Sequence, residues 1–193
     1  MAERALGQPK SDPAAARAAL AAMPWLARQS LTVGGLGYAR FASGTWGSLP
    51  PCVAALLAVA VLPAGWWWGV SAVMLALLAW AAFGCERWGT RAEELVGTKD
   101  PSCVVLDEVA GMSIALLGHR WALRDGSDGL GWLWAALVTV GLAFVFFRAL
   151  DIVKPPPCRA LQEVKGGRGI LLDDVLAGVY ACVATHLVNP FMH

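Results

Sequence analysis

Three long stretches of the chain carry no charged side chain: residues 41–85, 129–147 and 175–193. The first is broken by Pro63-Ala64-Gly65, a turn signal, so it predicts a helical hairpin over 50–62 and 66–84. A fourth apolar piece, "VAGMSIALLG" (109–118), directly follows Asp107-Glu108 and extends back to Val104. Five mostly apolar helices follow: 50–62, 66–84, 104–118, 130–150 and 173–188. Neither strand alternation nor an internal repeat interrupts the pattern. Since a bilayer needs about 20 helical residues, the first and third of these helices are short and are expected to cross imperfectly or to dip in and return.

Composition turns this pattern into a membrane protein. The chain is 58% hydrophobic and 15% charged, with a mean hydropathy of +0.57, whereas soluble domains are roughly 25% charged. If all five helices cross, the N-terminal region, 85–107 and 148–174 share one side. That side holds every lysine and arginine except Arg120 and Arg124, which marks it as cytoplasmic. Tryptophans in "GWWWG" (65–69), with Trp121, Trp132 and Trp134, fall near the opposite boundary and are expected to form an interfacial belt. Residues 1–30 lack the continuous apolar core of a signal peptide. They are expected to be an N-terminal extension, disordered over the first dozen residues and helical within about 13–28, ahead of one helical domain over 31–193.

Several function classes drop out. A net charge of +1 offers no polycation for nucleic acid. The five cysteines form no C-x-x-C, and His119, His186 and His193 lack metal-ligand spacing, so neither a disulfide framework nor a zinc site is expected.

The acids are informative by position. Asp100, Asp107-Glu108, Asp151 and Asp173-Asp174 all fall at helix ends, or just inside helices, on the cytoplasmic side. Carboxylates converging in a low-dielectric region repel one another and call for a cation. Oxygen donors without His or Cys favour Mg²⁺ over Zn²⁺. Asp107, Glu108, Asp151, Asp173 and Asp174 are therefore the expected metal ligands, and Asp100 a supporting group or general acid/base. Basic and glycine-rich segments lie beside them. "KGGRG" (165–169) precedes the aspartate pair; taken alone it reads as a plain loop, and beside the acids Gly167, Arg168 and Gly169 offer a phosphate cradle before a helix start. Lys154 and Arg159 flank "PPPC" as phosphate-binding cations. In "GYARFASGTWGSLPP" (37–51), Thr45 and Ser48 offer hydroxyls, with Ser48 expected as an N-cap ahead of first-turn prolines.

Three blocks together resemble the phosphatidylglycerophosphatase A family: "GYARFASGTWGSLP", "KDPSCVVLDEVAGM" and "FRALDIVKPPPCRALQEVKGGRGILLDDVLAGV". The resemblance covers about residues 34–188. It implies an all-α, membrane-associated, Mg²⁺-dependent phosphatase that converts the phospholipid phosphatidylglycerophosphate to phosphatidylglycerol at the cytoplasmic face of the bacterial inner membrane. Thr45, Ser48, Asp100, Asp107, Glu108, Asp151, Lys154, Arg159, Gly167, Gly169, Asp173 and Asp174 match its motifs. Ser43 stands where a proline is usual and Leu171 where a methionine is usual; neither change removes a charge. Asp100, Asp107, Asp151, Lys154 and Asp173 are the expected catalytic residues. The attacking group stays open between water and an aspartate. Two rival readings also account for acids among apolar helices: a membrane cation transporter, and a soluble helical phosphatase of a smaller ester.

Overall fold

A computed structural model describes residues 12–63, 65–121, 130–158 and 166–189. Among these residues all regular structure is helical. Two short helices, α1 (Pro13–Leu20) and α2 (Trp25–Leu31), and a 3₁₀ turn at Leu36–Tyr38 precede the bundle. The bundle consists of α3 (Ser43–Val61), α4 (Trp67–Val96), α5 (Leu106–Ala115), α6 (Gly131–Val153) and α7 (Gly167–Val188). α3, α4, α6 and α7 are each long and apolar enough to cross a membrane. Their outward faces expose Leu57, Leu75, Val145 and Val183, a surface that suits lipid rather than water.

α5 is different. Its ten residues span about 15 Å at 1.5 Å each, and all of them except Glu108 and Ile114 are buried. It is the central rod of the bundle, packed against α3, α4, α6 and α7. A helix sheathed by protein does not need the length of a lipid-facing one. Small residues allow the sheath to close. A Cβ on Gly111 would strike the Phe147 ring and the Asp174 carbonyl, and one on Gly178 would strike the Gly111 backbone. Asp107 and Glu108 at the start of α5 lie beside Asp174, and Cys182 Sγ further along α7 reaches the Leu117 carbonyl just past the end of α5, so α5 and α7 run parallel and their N-termini share one end of the bundle.

Several helix starts differ from expectation. α3 begins at Ser43, with Pro50 and Pro51 inside the helix. Ser48 is not an N-cap: its hydroxyl donates to the Gly44 carbonyl at 2.8 Å, one helical turn back. A proline inside a helix costs about 3 kcal/mol. The early turns are held instead by close approach, since a Cβ on Gly47 would lie 2.7 Å from Val105 Cβ. α4 runs twelve residues beyond its expected end at residue 84, to Val96, as a half-exposed extension. α7 starts at Gly167, so Asp173 and Asp174 lie in its second turn rather than at its start. Tertiary contact sets that start too: the Gly167 Cα sits 2.7 Å from the position a Cβ on Gly89 would take. The Ala-rich N-terminal segment forms two helices, which pack against α4. The expectation of disorder over the first dozen residues lies almost wholly outside the described residues. Trp66, Trp67, Trp68 and Trp134 are exposed as a belt would be, but Trp121 is buried, edge-on to His119.

Candidate active site

The helix directions dictate where the charges meet. α3, α5 and α7 begin at one end of the bundle, where α6 finishes. Three helix N-termini bring partial positive charge to that end, a setting that favours both carboxylates and phosphate. α5 contributes Asp107 and Glu108 from its first turn, and α7 contributes Asp173 and Asp174. The end of α6 contributes Arg148, Asp151 and the Lys154 that caps it, and the connection before α5 contributes Lys99 and Asp100.

These groups line a cavity of about 330 Å³, bounded by Ser43, Gly44, Lys99, Asp100, Asp107, Glu108, Arg148, Asp151, Lys154 and Asp174 among others. One carboxylate oxygen from each of Asp107, Glu108 and Asp174 lies within 4.8 Å of the others. Asp107 Oδ1, Glu108 Oε2 and Asp174 Oδ2 are buried without a hydrogen-bond donor among the described residues. Buried acceptors are nearly always satisfied, and these three oxygens form one donor set that could hold a cation. Beside them, Asp151 bridges two bases: its Oδ2 lies 2.7 Å from Arg148 Nη1, and its Oδ1 lies 3.9 Å from Lys154 Nζ. Lys154 Nζ also donates to Asp173 Oδ2 at 2.5 Å. Asp173 thus meets the cavity through Lys154 rather than by lining it.

Backbone strain concentrates here. Ala42, Asp100 and Lys154 all line the cavity with φ near +50°, a left-handed conformation that costs a non-glycine residue about 1–3 kcal/mol. Gly44 is needed for a different reason. A Cβ there would stand 2.5 Å from Glu108 Oε1 and 2.9 Å from Arg148 Nη1. The start of α3 is pressed directly onto the acid cluster.

Charge states follow from these surroundings. Asp100 remains open to solvent on one side while protein and acids crowd the other. Desolvation, and then the charge of Asp173, push its pKa up to about 6. Burial works against the Lys154 ammonium and is the largest single influence, but the hydrogen bond to Asp173 together with the charges of Asp173, Asp174 and Asp151 outweighs it and holds its pKa above the ordinary lysine value.

The structure brings Asp100, Asp107, Glu108, Asp151, Lys154, Asp173 and Asp174 together. It does not bring the glycine-rich and hydroxyl residues with them. Gly167 and Gly169 are buried, Gly167 against the Cys85 carbonyl of α4. Arg168 pairs with exposed Glu86. Ser48 is fully buried and bonded to Gly44, and neither it nor Thr45 lines the cavity. Arg159 lies outside the described residues. Sequence reasoning passed over Ser43, Lys99 and Arg148 as site residues. Lys99 and Arg148 were detectable as bases within four residues of Asp100 and Asp151.

Fold and site together define a helical membrane protein with an acid- and base-lined cavity at one end of its bundle. The family model for phosphatidylglycerophosphatase A matches residues 30–189. The chain is 30% identical to the phosphatidylglycerophosphatase A of Haemophilus influenzae, over 84% of this chain and 88% of that protein. It is 32% identical to that of Escherichia coli, over 86% and 84% respectively. It is also 35% identical to a putative phosphatidylinositol-3-phosphatase of Bacteroides thetaiotaomicron, over 77% and 84%. No solved structure matches. The chain belongs to the phosphatidylglycerophosphatase A family.

Proposed function

We propose that this protein is a Mg²⁺-dependent phosphatase that hydrolyses the terminal phosphomonoester of phosphatidylglycerophosphate, at the cytoplasmic face of the bacterial inner membrane. The observation that carries the reading is the trio of orphaned carboxylate oxygens on Asp107, Glu108 and Asp174, facing a cavity that also holds Arg148 and Lys154. The donor set fits the cation: it is all oxygen, anionic and free of His or Cys. Asp107, Glu108 and Asp174 would hold it, with Asp151 alongside. When bound, Mg²⁺ supplies Lewis-acid polarisation of phosphate oxygens.

The chain's own residues account for the rest. Arg148 offers a planar fork for phosphate oxygens, and Asp151 fixes its direction. Lys154, locked by Asp173, places a point charge at the same wall. Asp100, titrating near 6, suits proton transfer to the leaving glycerol oxygen. The cavity opens at the charged end of an apolar bundle, so a lipid can present its headgroup while its chains stay among the exposed leucines and valines. A transporter would place its acids near the midplane, and this cluster sits at the bundle end.

The test is phosphate release from phosphatidylglycerophosphate and from phosphatidylinositol 3-phosphate, in Mg²⁺ and in EDTA, for wild type and Asp174→Asn. The expected result is Mg²⁺-dependent release from the first lipid, reduced at least about 100-fold in the variant, consistent with loss of a metal-ordering group. Preference for the inositol lipid would move the substrate assignment to that of the Bacteroides relative. Full activity in EDTA, or in Asp174→Asn, would sink the reading.

A further inference from the structure

A second constellation lies at the other end of the α5–α7 pair. His119, Cys182 and His186 each place one potential ligand atom within 4.8 Å of the others. Counting along α7, Cys182 and His186 lie eight and twelve residues beyond Asp174, or about 12–18 Å away at 1.5 Å per residue. The cluster is therefore separate from the carboxylate cavity. Sequence spacing concealed it, because the three residues come from two segments that meet only in the fold.

Its hydrogen bonds prepare it for a metal. His119 is fully buried, and its Nε2 sits 3.0 Å from the Ala115 carbonyl. A carbonyl accepts only a proton, so Nε2 carries the hydrogen and Nδ1 carries the lone pair. Nδ1 has no hydrogen-bond partner among the described residues. His186 repeats the device in reverse: its Nδ1, 3.6 Å from Cys182 Sγ, donates to the Cys182 carbonyl at 2.8 Å, leaving the lone pair on Nε2, which lies near Gly118. Metal-bound histidines almost always anchor their second nitrogen in this way. Cys182 Sγ lies 3.3 Å from the Leu117 carbonyl, in the same turn. That turn exists because Gly118 takes φ +73° and folds His119 back over the end of α5. The two imidazoles stack with centroids 4.1 Å apart.

We propose that His119, Cys182 and His186 form a binding site for a borderline transition-metal ion of the Zn²⁺ class, at the end of the bundle opposite the carboxylate cavity. Two imidazole nitrogens and a thiolate select such ions over Mg²⁺. Zn–N and Zn–S bonds of about 2.1 and 2.3 Å place tetrahedral donors roughly 3.5 Å from each other, so binding requires the two imidazoles to turn out of their stack toward a common point. Bound metal would tie the end of α5 to α7.

Co²⁺ reports thiolate ligation through a near-ultraviolet charge-transfer band, so it is the probe. Detergent-purified, Mg²⁺-saturated protein is titrated with Co²⁺. One equivalent should bind with that band, Zn²⁺ should displace it, and excess Mg²⁺ should not. Cys182→Ser should abolish the band and weaken Co²⁺ binding at least tenfold while phosphate release persists, which also shows that the variant is folded. His186→Gln should weaken binding by a similar factor, and Asp174→Asn should keep the band. The absence of a band in wild type, or its survival in Cys182→Ser, would overturn the proposal. Neither result bears on the carboxylate site.

Discussion

Lys154 joins two arguments, one about stability and one about chemistry, and a pair of variants separates them. Its Nζ lies 2.5 Å from Asp173 Oδ2; the Asp173 side chain is 4% exposed and that of Lys154 is 21% exposed. In Lys154→Met the ammonium is lost and the Asp173 carboxylate is stranded in the protein. Breaking a buried pair in this way costs about 3–5 kcal/mol. Water still reaches Lys154, which places the cost near the lower bound, at about 3 kcal/mol. For a chain of this size each kcal/mol shifts Tm by about 2–4 °C, so the melting point should fall by roughly 6–12 °C. Tryptophan fluorescence in detergent micelles reads this directly, since ten tryptophans are spread along the chain. The double variant Lys154→Met with Asp173→Leu removes both charges. Buried pairs are often replaced by apolar residues at no net cost, so most of the lost Tm should return, whereas phosphate release should stay at background. A fall of less than about 2 °C in the single variant would mean that the pair behaves as an exposed ion pair. A double variant no more stable than the single would refute the stranded-charge account, and near-normal activity in the double would remove Lys154 from the chemistry.

The remaining predictions concern the same cavity. Gly44→Ala places a methyl group 2.5 Å from Glu108 Oε1; it should cost about 1–3 kcal/mol as overpacking and lower kcat at least tenfold, measured by melting and by phosphate release. Asp100 has a folded-state pKa of about 6, above the roughly 3.9 of an unfolded aspartate. Its contribution to stability is therefore complete below about pH 4 and is lost as the pH rises through 6. In EDTA, Asp100→Asn should gain Tm over wild type across that window, and a constant difference would contradict the raised pKa. Inorganic phosphate should bind the protein in Mg²⁺ and not in EDTA, and calorimetry that finds equal affinity would refute the cation's role in admitting phosphate.

Much of the fold was legible because it rests on burial. Charge-free blocks mark α3, α4, α6 and α7, and a lipid-facing helix cannot hide its composition. The acids were legible for the same reason: a carboxylate beside an apolar run needs a purpose. What escaped was everything decided by contact between elements. The start of α3 at Ser43 depends on Gly44 and Gly47 meeting Glu108 and Val105. The prolines in the sequence argue for a later start, and nothing local opposes them. "KGGRG" resembles a phosphate loop because its glycines are permissive, yet Gly167 is required by the Cys85 carbonyl of a helix some eighty residues earlier. Glycines that permit a turn and glycines that permit close packing are the same letter. His119, Cys182 and His186 were illegible because their spacing becomes meaningful only once α5 and α7 are known to be parallel.

The charge balance of the cavity links these observations to one requirement. Among the described residues, six acids (Asp100, Asp107, Glu108, Asp151, Asp173 and Asp174) face three bases (Lys99, Arg148 and Lys154) at this end of the bundle. Three negative charges are left over when all ionise. A phosphomonoester near pH 7 brings close to two more, and like charges at such distances exclude each other at any realistic protein dielectric. The bases do not remove the excess, because Asp151 and Asp173 already engage Arg148 and Lys154. The surplus lies on Asp107, Glu108 and Asp174, the residues whose oxygens have no donor. Under the proposed function, the residues that most repel phosphate are the ones that would take the cation. Arg148 and Lys154, restrained by their aspartates, would then be directed at the anion that cation admits.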